Sequence, residues 1–298
     1  MIKEQLEDTG ERMVPEYHKE LMIYGEHVAR YETAKALVVD KVVLDIACGS
    51  GYGSSILAEE AKNVIGVDAD GKTISYAAKK YGSKKVKFLV GDATQIPIGD
   101  NSVDAVISFE TIEHVANYRK FLSEVKRVLR DEGILIISTP NQDTYIEDNP
   151  FHKHHFTYDE FTKLLRPRFQ YIKPYFQSTW LYNSILSKDL LSKNWVREIK
   201  TMFTVNSNPK EAVYFIFLCS NRPLPSPRSV GAVSQPWSAK QEAMHAGELE
   251  RVNKLTKEHI MNLENTVSIL EKELGLIKQS FLYKIFRLLN KIKRNRVY

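Results

Sequence analysis

Val43-Leu44-Asp45-Ile46-Ala47-Cys48-Gly49-Ser50-Gly51-Tyr52-Gly53 is the stretch whose reading decides the fold. Val42–Ile46 is short, apolar and rich in β-branched residues, the composition of a buried strand. Gly49, Gly51 and Gly53 then permit a sharp turn and a close approach of ligand to backbone. A helical pattern begins at Tyr52. A strand that passes through a glycine turn into a helix places a ligand site at the strand's carboxyl end and aims the positive end of the helix at it. Phosphate-binding dinucleotide loops share this layout, and on this motif alone that alternative stays open.

Outward from the motif, the first 222 residues alternate between the same two patterns. Val64–Val67, Val86–Val90, Ala105–Phe109 and Ile134–Ser138 read as further strands, bounded by Gly, Asp or Pro. Tyr52–Lys62, Lys72–Tyr81 and Tyr118–Arg130 read as helices, the last with Phe121, Leu122, Val125, Val128 and Leu129 at helical spacing. The alternation predicts an α/β fold, a Rossmann-like, doubly wound and mainly parallel sheet, with a C-terminal helical and coiled-coil extension. Phe169–Phe176 and Ala212–Cys219 are expected to close the sheet as a hairpin-like edge, with a helical cap over 179–208 between them. Pro and Ser mark 223–240 as a linker. Over 241–279 a heptad pattern runs through Asn253, Ile260, Val267 and Leu274, a series that continues in Phe281 and Leu288, and, offset by four, through Leu249, Thr256, Leu263, Leu270 and Ile277. It predicts a parallel coil and hence a homodimer; the alternative is one amphipathic helix folded back on the domain.

Of 298 residues, 42 are Lys or Arg and 37 Asp or Glu, a net charge of +5. Seven of the 42 lie between Leu274 and Tyr298, where there is no acid, so the other 35 face 37 acids and the basic excess belongs to the tail. The segment 280–298 reads as a basic amphipathic helix suited to an anionic membrane surface, with docking to a partner enzyme such as a glycosyltransferase as the second reading. Nucleic acid fits worse, because bulky apolar residues accompany the charge. The chain has no apolar run long enough to span a membrane and begins with too many charges for a secretory signal. Its two cysteines, Cys48 and Cys219, fit no zinc spacing. These features imply a cytoplasmic protein that is peripheral at the inner membrane face.

Three further features narrow the ligand. Val64-Ile65-Gly66-Val67-Asp68 is a second strand ending in an acid able to accept from both ribose hydroxyls, as both rival ligands require. Gly91-Asp92-Ala93-Thr94 follows the third strand, and a carboxylate there can accept from an adenine amino group. Phe109-Glu110-Thr111-Ile112-Glu113-His114 follows the fourth. The joint order Asp45, Gly49-Ser50-Gly51, Asp68, Asp92, Glu113-His114 resembles class I S-adenosylmethionine-dependent methyltransferases over residues 40–160. The resemblance implies that Asp45 holds the cofactor's ammonium group, that Gly49 and Gly51 line its methionine half, that Asp68 takes the ribose, and that Asp92 with Ala93 meets adenine. Glu110 joins this cofactor-binding set.

Thr9-Gly10-Glu11-Arg12-Met13-Val14-Pro15, His27-Val28-Ala29-Arg30-Tyr31, Ser138-Thr139-Pro140-Asn141 and Asn149-Pro150-Phe151-His152 look like signatures of methyltransferases of bacterial surface-polysaccharide pathways, O-antigen or capsule. They imply O-methylation of a sugar in a surface glycan or its lipid-linked precursor. His27, Arg30 and Tyr31 share a helix face. Arg12 or Arg30 pairs with the cofactor's carboxylate or an anionic substrate; the alternative is an ion pair with a nearby acid. A sugar hydroxyl needs help losing its proton, and the candidates are His114, His152 and His155, with His154 beside them. Glu110-x-x-Glu113-His114 also resembles the metal-binding run of ubiquinone-pathway and small-RNA methyltransferases, which implies a divalent metal held by Glu110, Glu113, His114 and His152. The favoured expectation is a metal-free site. The rival functions are methylation of a quinone-type small molecule and a cofactor-binding scaffold without catalysis.

Overall fold

A computed structural model describes residues 6, 12–18, 21–144, 149–178, 212–224, 261, 263, 265–276 and 281–294. The chain divides into two compact units, Met1–Trp237 and Ser238–Tyr298. The first opens with a helical turn at Pro15–His18 (α1) and a helix at Met22–Lys35 (α2). There follow β1 (Val42–Ile46), α3 (Tyr52–Leu57), β2 (Asn63–Asp68), α4 (Gly71–Tyr81), β3 (Val86–Val90), β4 (Val103–Ser108), α5 (Tyr118–Val128), β5 (Leu129–Pro140), α6 (Tyr158–Leu165), β6 (Tyr171–Gln177) and β7 (Tyr214–Ser220).

The seven strands form one sheet in the order β3-β2-β1-β4-β5-β7-β6. All pairings from β3 to β5 are parallel, and β7 runs antiparallel to both β5 and β6. The hairpin-like edge is therefore present, but β7 inserts between β5 and β6. Its seven residues are all buried, as an inner strand requires, whereas Tyr171 and Phe176 of β6 are exposed. Winding reverses between β1 and β4, which makes the crevice beyond their carboxyl ends the expected ligand site.

Alternate residues of the inner strands feed two cores. Leu135, Ile137, Phe215 and Phe217 face one side and pack with Phe121, Leu122, Val125 and Val128 of α5 and Phe161 and Leu165 of α6. Ile134, Ile136, Ile216 and Leu218 face the other and pack with Tyr31, Ala34 and Leu57. Burial of each large apolar side chain contributes about 1.5–3 kcal/mol, so the doubly wound sheet is a rigid platform for its loops.

Element boundaries depart from expectation where tertiary geometry intervenes. The helix expected over Tyr52–Lys62 stops at Leu57. Its last turn tightens through Glu59 N to Ile56 O and Glu60 N to Leu57 O, which turns the chain towards β2. The strand expected to reach Phe109 ends at Ser108, because Glu110 adopts a left-handed φ of 46°. The helix expected to reach Arg130 ends at Val128, and Leu129 is extended and pairs with Val103. The expected cap over 179–208 lies outside the described residues, as do nearly all of the linker and most of the coil.

In the second unit, 265–276 and Phe281–Arg294 are helical. Val267, Leu270 and Leu274 of the heptad series are exposed in the single chain. Among the described residues, no helix is long and apolar enough to cross a membrane. Cys48 and Cys219 are both free and buried.

Candidate active site

The glycine loop takes its shape from three left-handed residues after β1, Ala47 at φ 57°, Gly49 at φ 54° and Gly51 at φ 85°. A Cβ on Gly51 would stand 2.7 Å from the Ala77 Cβ and 2.9 Å from the Phe88 ring, so the loop also packs too tightly for a side chain. Asp68, at the end of β2, accepts from the Gly49 amide at 3.0 Å and, through its other oxygen, from the Asp70 amide at 3.0 Å. Asp92, past β3, is exposed and accepts from the Thr94 amide at 2.6 Å, a bond that holds its carboxyl below the usual range. Ala93 is partly buried beside it.

Asp45 is buried under this loop. Ser54 Oγ donates to it at 2.6 Å and the Tyr31 hydroxyl at 3.2 Å. Burial nevertheless raises its carboxyl to about 7. Burial and the nearby Asp45 hold the Tyr31 phenol well above its ordinary value, so it remains a donor. Tyr31 can reach Asp45 because residue 53 is glycine; a Cβ there would overlap its ring. His27, Arg30 and Tyr31 do share the inner face of α2. His27 Nδ1 lies 2.8 Å from the Tyr52 hydroxyl, and burial followed by Arg30 holds its imidazole well below the usual value.

Arg30 is 1% exposed. Its Nη1 donates to Gln177 Oε1 at 2.8 Å, lies 4.0 Å from Glu110 Oε1, and its guanidinium stacks 4.7 Å from the centre of the Tyr214 ring. Nε and Nη2 are buried without a hydrogen-bond partner among the described residues. That edge offers two parallel N–H groups, the geometry that grips a carboxylate or phosphate. Arg12 pairs with Asp70 at 3.2 Å, and a Cβ on Gly49 would touch its side chain. Gln177 and Tyr214 escaped sequence reading because each stands at a strand end, in no motif that points to a site.

At the carboxyl ends of β4 and β5 lies a second centre. Glu113 is 1% exposed; its Oε2 accepts from Thr139 Oγ1 at 3.2 Å, and its buried Oε1 has no hydrogen-bond partner among the described residues. Burial first, then the neighbouring Glu110, raises its carboxyl well above the usual range. Its carbonyl accepts from the amides of Lys153 and His154 at 2.8 and 3.1 Å, which pins the histidine-bearing loop over the strand ends. His114 and His152 meet edge to face with ring centres 4.8 Å apart, and His152 and His155 at 5.8 Å. Burial and the two flanking imidazoles lower His152 to about 4, so it is neutral at ordinary pH. Glu113, His152, His154 and His155 line an open cleft with Thr139, Pro140 and Gln142. Thr139 belongs to a stretch the sequence had marked, without showing that it faces the cleft; Gln142, one residue beyond that stretch, was missed.

One ligand atom from each of Glu113, His114 and His152 falls within 4.8 Å of the others. Glu110 is otherwise engaged: Ser138 Oγ donates to its Oε1 at 2.5 Å and Arg30 is close by. Of the four residues the sequence grouped as a metal set, the structure thus brings three within reach of one another. The same geometry places Glu110 beside Arg30.

Residues 44–137 match the family model described as a methyltransferase domain. The chain is 35% identical over 162 residues to a probable S-adenosylmethionine-dependent methyltransferase of Mycolicibacterium smegmatis, a match spanning 53% of this chain and 62% of that protein. It is 32% identical over 119 residues to a fatty-acid O-methyltransferase of the same organism, spanning 39% and 43%. A Thermotoga maritima structure described as an S-adenosylmethionine-dependent methyltransferase, possibly acting on histamine, superposes with a TM-score of 0.50 at 21% identity, over 71% of this chain and 97% of that one. That likeness concerns the fold. The chain thus spans about three fifths or less of the length of these curated relatives.

Proposed function

We propose that this chain, which carries a methyltransferase domain over residues 44–137, transfers a methyl group from S-adenosylmethionine to a hydroxyl of a sugar in a surface glycan or its lipid-linked precursor. The residues suit that cofactor on their own geometry. Asp45, Asp68 and Asp92 stand at the ends of successive strands and match an ammonium group, a ribose diol and an adenine amino group. A diphosphate over the same loop would face two carboxylates and find the Gly49 amide already taken by Asp68. The bound cofactor supplies an electrophilic sulfonium methyl. Asp45 would hold its positive end, Gly49 and Gly51 its methionine half, and Ala93 would line its adenine end. Arg30, with Glu110 beside it, would take the carboxylate of the cofactor or an anionic group of the acceptor.

The observation that carries the reading of the acceptor is the cleft. Its lining is polar, with Thr139, Gln142 and three imidazoles, as a hydroxyl-rich ligand requires. His152, neutral between His114 and His155, would accept the hydroxyl proton as the oxygen attacks. Glu113 has the raised proton affinity of a group able to share it. A second reading, a quinone-type or other small-molecule acceptor, draws on the relative named for fatty acids. The third, a cofactor-binding scaffold, predicts binding without turnover. Release of S-adenosylhomocysteine is the test. Turnover with lipid-linked glycans supports the first reading, turnover with small phenols alone the second, and binding without product the third. The proposal includes a homodimer through the heptads of 249–277 and a cytoplasmic location.

A further inference from the structure

We propose that the helix Phe281–Arg294 docks on the surface of an anionic lipid bilayer, lying in the plane of the interface. At about 100° per residue, Leu288, Phe281, Ile292, Ile285, Leu289 and Leu282 fall within an arc of about 120°, with Phe286 and Lys293 at its border. On the same spacing Arg294, Arg287, Lys291 and Lys284 fall outside that arc, about 100–180° from its centre. Ile285, Phe286, Leu288 and Leu289 are all exposed, Leu288 to 63%. The 14-residue helix carries five cations and no acid.

Charge selects the occupant. A second copy of this helix would bring five more cations and no carboxylate, so self-pairing would set like charges against each other. The stretch 265–276 differs, because Glu271, Lys272 and Glu273 mix signs as a self-associating helix can use. A nucleic acid would neutralise the cations and leave the apolar arc in water. A bilayer with anionic headgroups satisfies both faces at once: the apolar arc sinks to the acyl boundary and the cations stay level with the phosphates. The helix is far too charged to span it. At about 21 Å it lies flat as an anchor worth about fivefold in partitioning per cation near the surface.

The test is co-sedimentation of the full-length chain with vesicles of phosphatidylcholine alone and of phosphatidylcholine mixed with phosphatidylglycerol. The expected result is binding to the mixture that weakens with salt, and little to phosphatidylcholine. Lys284→Gln with Arg287→Gln should lower the partition coefficient about 30-fold. Ile285→Ser with Leu288→Ser, which keeps every charge, should lower it at least about tenfold. Equal binding to both vesicles, no binding, or full binding by the serine variant would overturn the proposal. So would a helix that drives dimerisation or RNA binding while ignoring vesicles. Cofactor binding is measured on the same preparations; it reports on the methyltransferase domain and stands or falls separately.

Discussion

In the free protein the charge of Asp45 is costly; in the proposed cofactor complex it would be useful. Burial lifts its carboxyl from 3.8 to about 7, against the pull of Ser54 and Tyr31. That difference amounts to roughly 4 kcal/mol against the ionised form. The folded value lies above the unfolded one, so the contribution of Asp45 to folding is fully present below about pH 4 and is lost as pH rises through about 7. A cation seated on the carboxylate needs it ionised. Affinity for S-adenosylhomocysteine, which carries the same ammonium group, should therefore fall about tenfold for each pH unit below about 7. Asp45→Asn removes a charge-assisted contact, roughly 1.5–3 kcal/mol or about 10–150-fold in Kd. The free variant, relieved of a buried charge, should melt no lower than the parent at about pH 8. Calorimetric titration across about pH 5.5–8.5, with thermal melting of the free proteins, measures both. Affinity that ignores pH, or an Asn variant that binds as the parent does, would refute the reasoning. A variant that melts several degrees lower at about pH 8 would make Asp45 a structural cap of the loop instead.

Four other outcomes follow from the same geometry. His152→Gln should lower kcat about 10²–10⁴-fold with little change in cofactor affinity, and the parent's kcat at saturation should hold until pH nears His152's value of about 4. Gly53→Ala should cost about 1–3 kcal/mol in a denaturant melt by pushing Tyr31 off Asp45, and the cost should shrink in a Tyr31→Ala background. Arg30→Lys keeps the charge beside Glu110 but loses the planar fork, so the KM of the cofactor or the acceptor should rise about tenfold or more; no change in either removes Arg30 from the site. Exhaustive chelation should leave turnover unchanged, since Glu110 is committed to Ser138 and Arg30; loss of turnover restored by Mn²⁺ or Mg²⁺ would show that Glu113, His114 and His152 suffice to hold an ion.

The parallel strands were legible because they are apolar, mostly β-branched runs alternating with helical patterns, although their order in the sheet was not read. The glycine loop was legible because Gly49 and Gly51 need conformations that other residues avoid. The order β5-β7-β6 was not, since the period of an antiparallel strand says which face is buried and not which neighbour it joins. The early ends of α3 and β4 were hidden for a related reason: a tightened turn at Leu57 and a left-handed Glu110 answer to tertiary placement. At the site, the spacing of His27, Arg30 and Tyr31 put them on one face, but the partners of Arg30 come from β6 and β7, which local sequence could not supply. Glu113, His114 and His152 were grouped by resemblance; the shared reach of their ligand atoms became visible only once the loop carrying His152 was seen pinned to the Glu113 carbonyl.

The central claim is that this chain moves a methyl group to a hydroxyl held in the histidine-lined cleft. The most direct measurement is S-adenosylhomocysteine release by the purified full-length chain given S-adenosylmethionine and a lipid-linked glycan fraction, with mass analysis of the glycan. The account predicts one O-methyl group gained per molecule released, and loss of both signals in His152→Gln. Cofactor binding with neither product nor methylated glycan, for this and every small hydroxyl acceptor supplied, would contradict it.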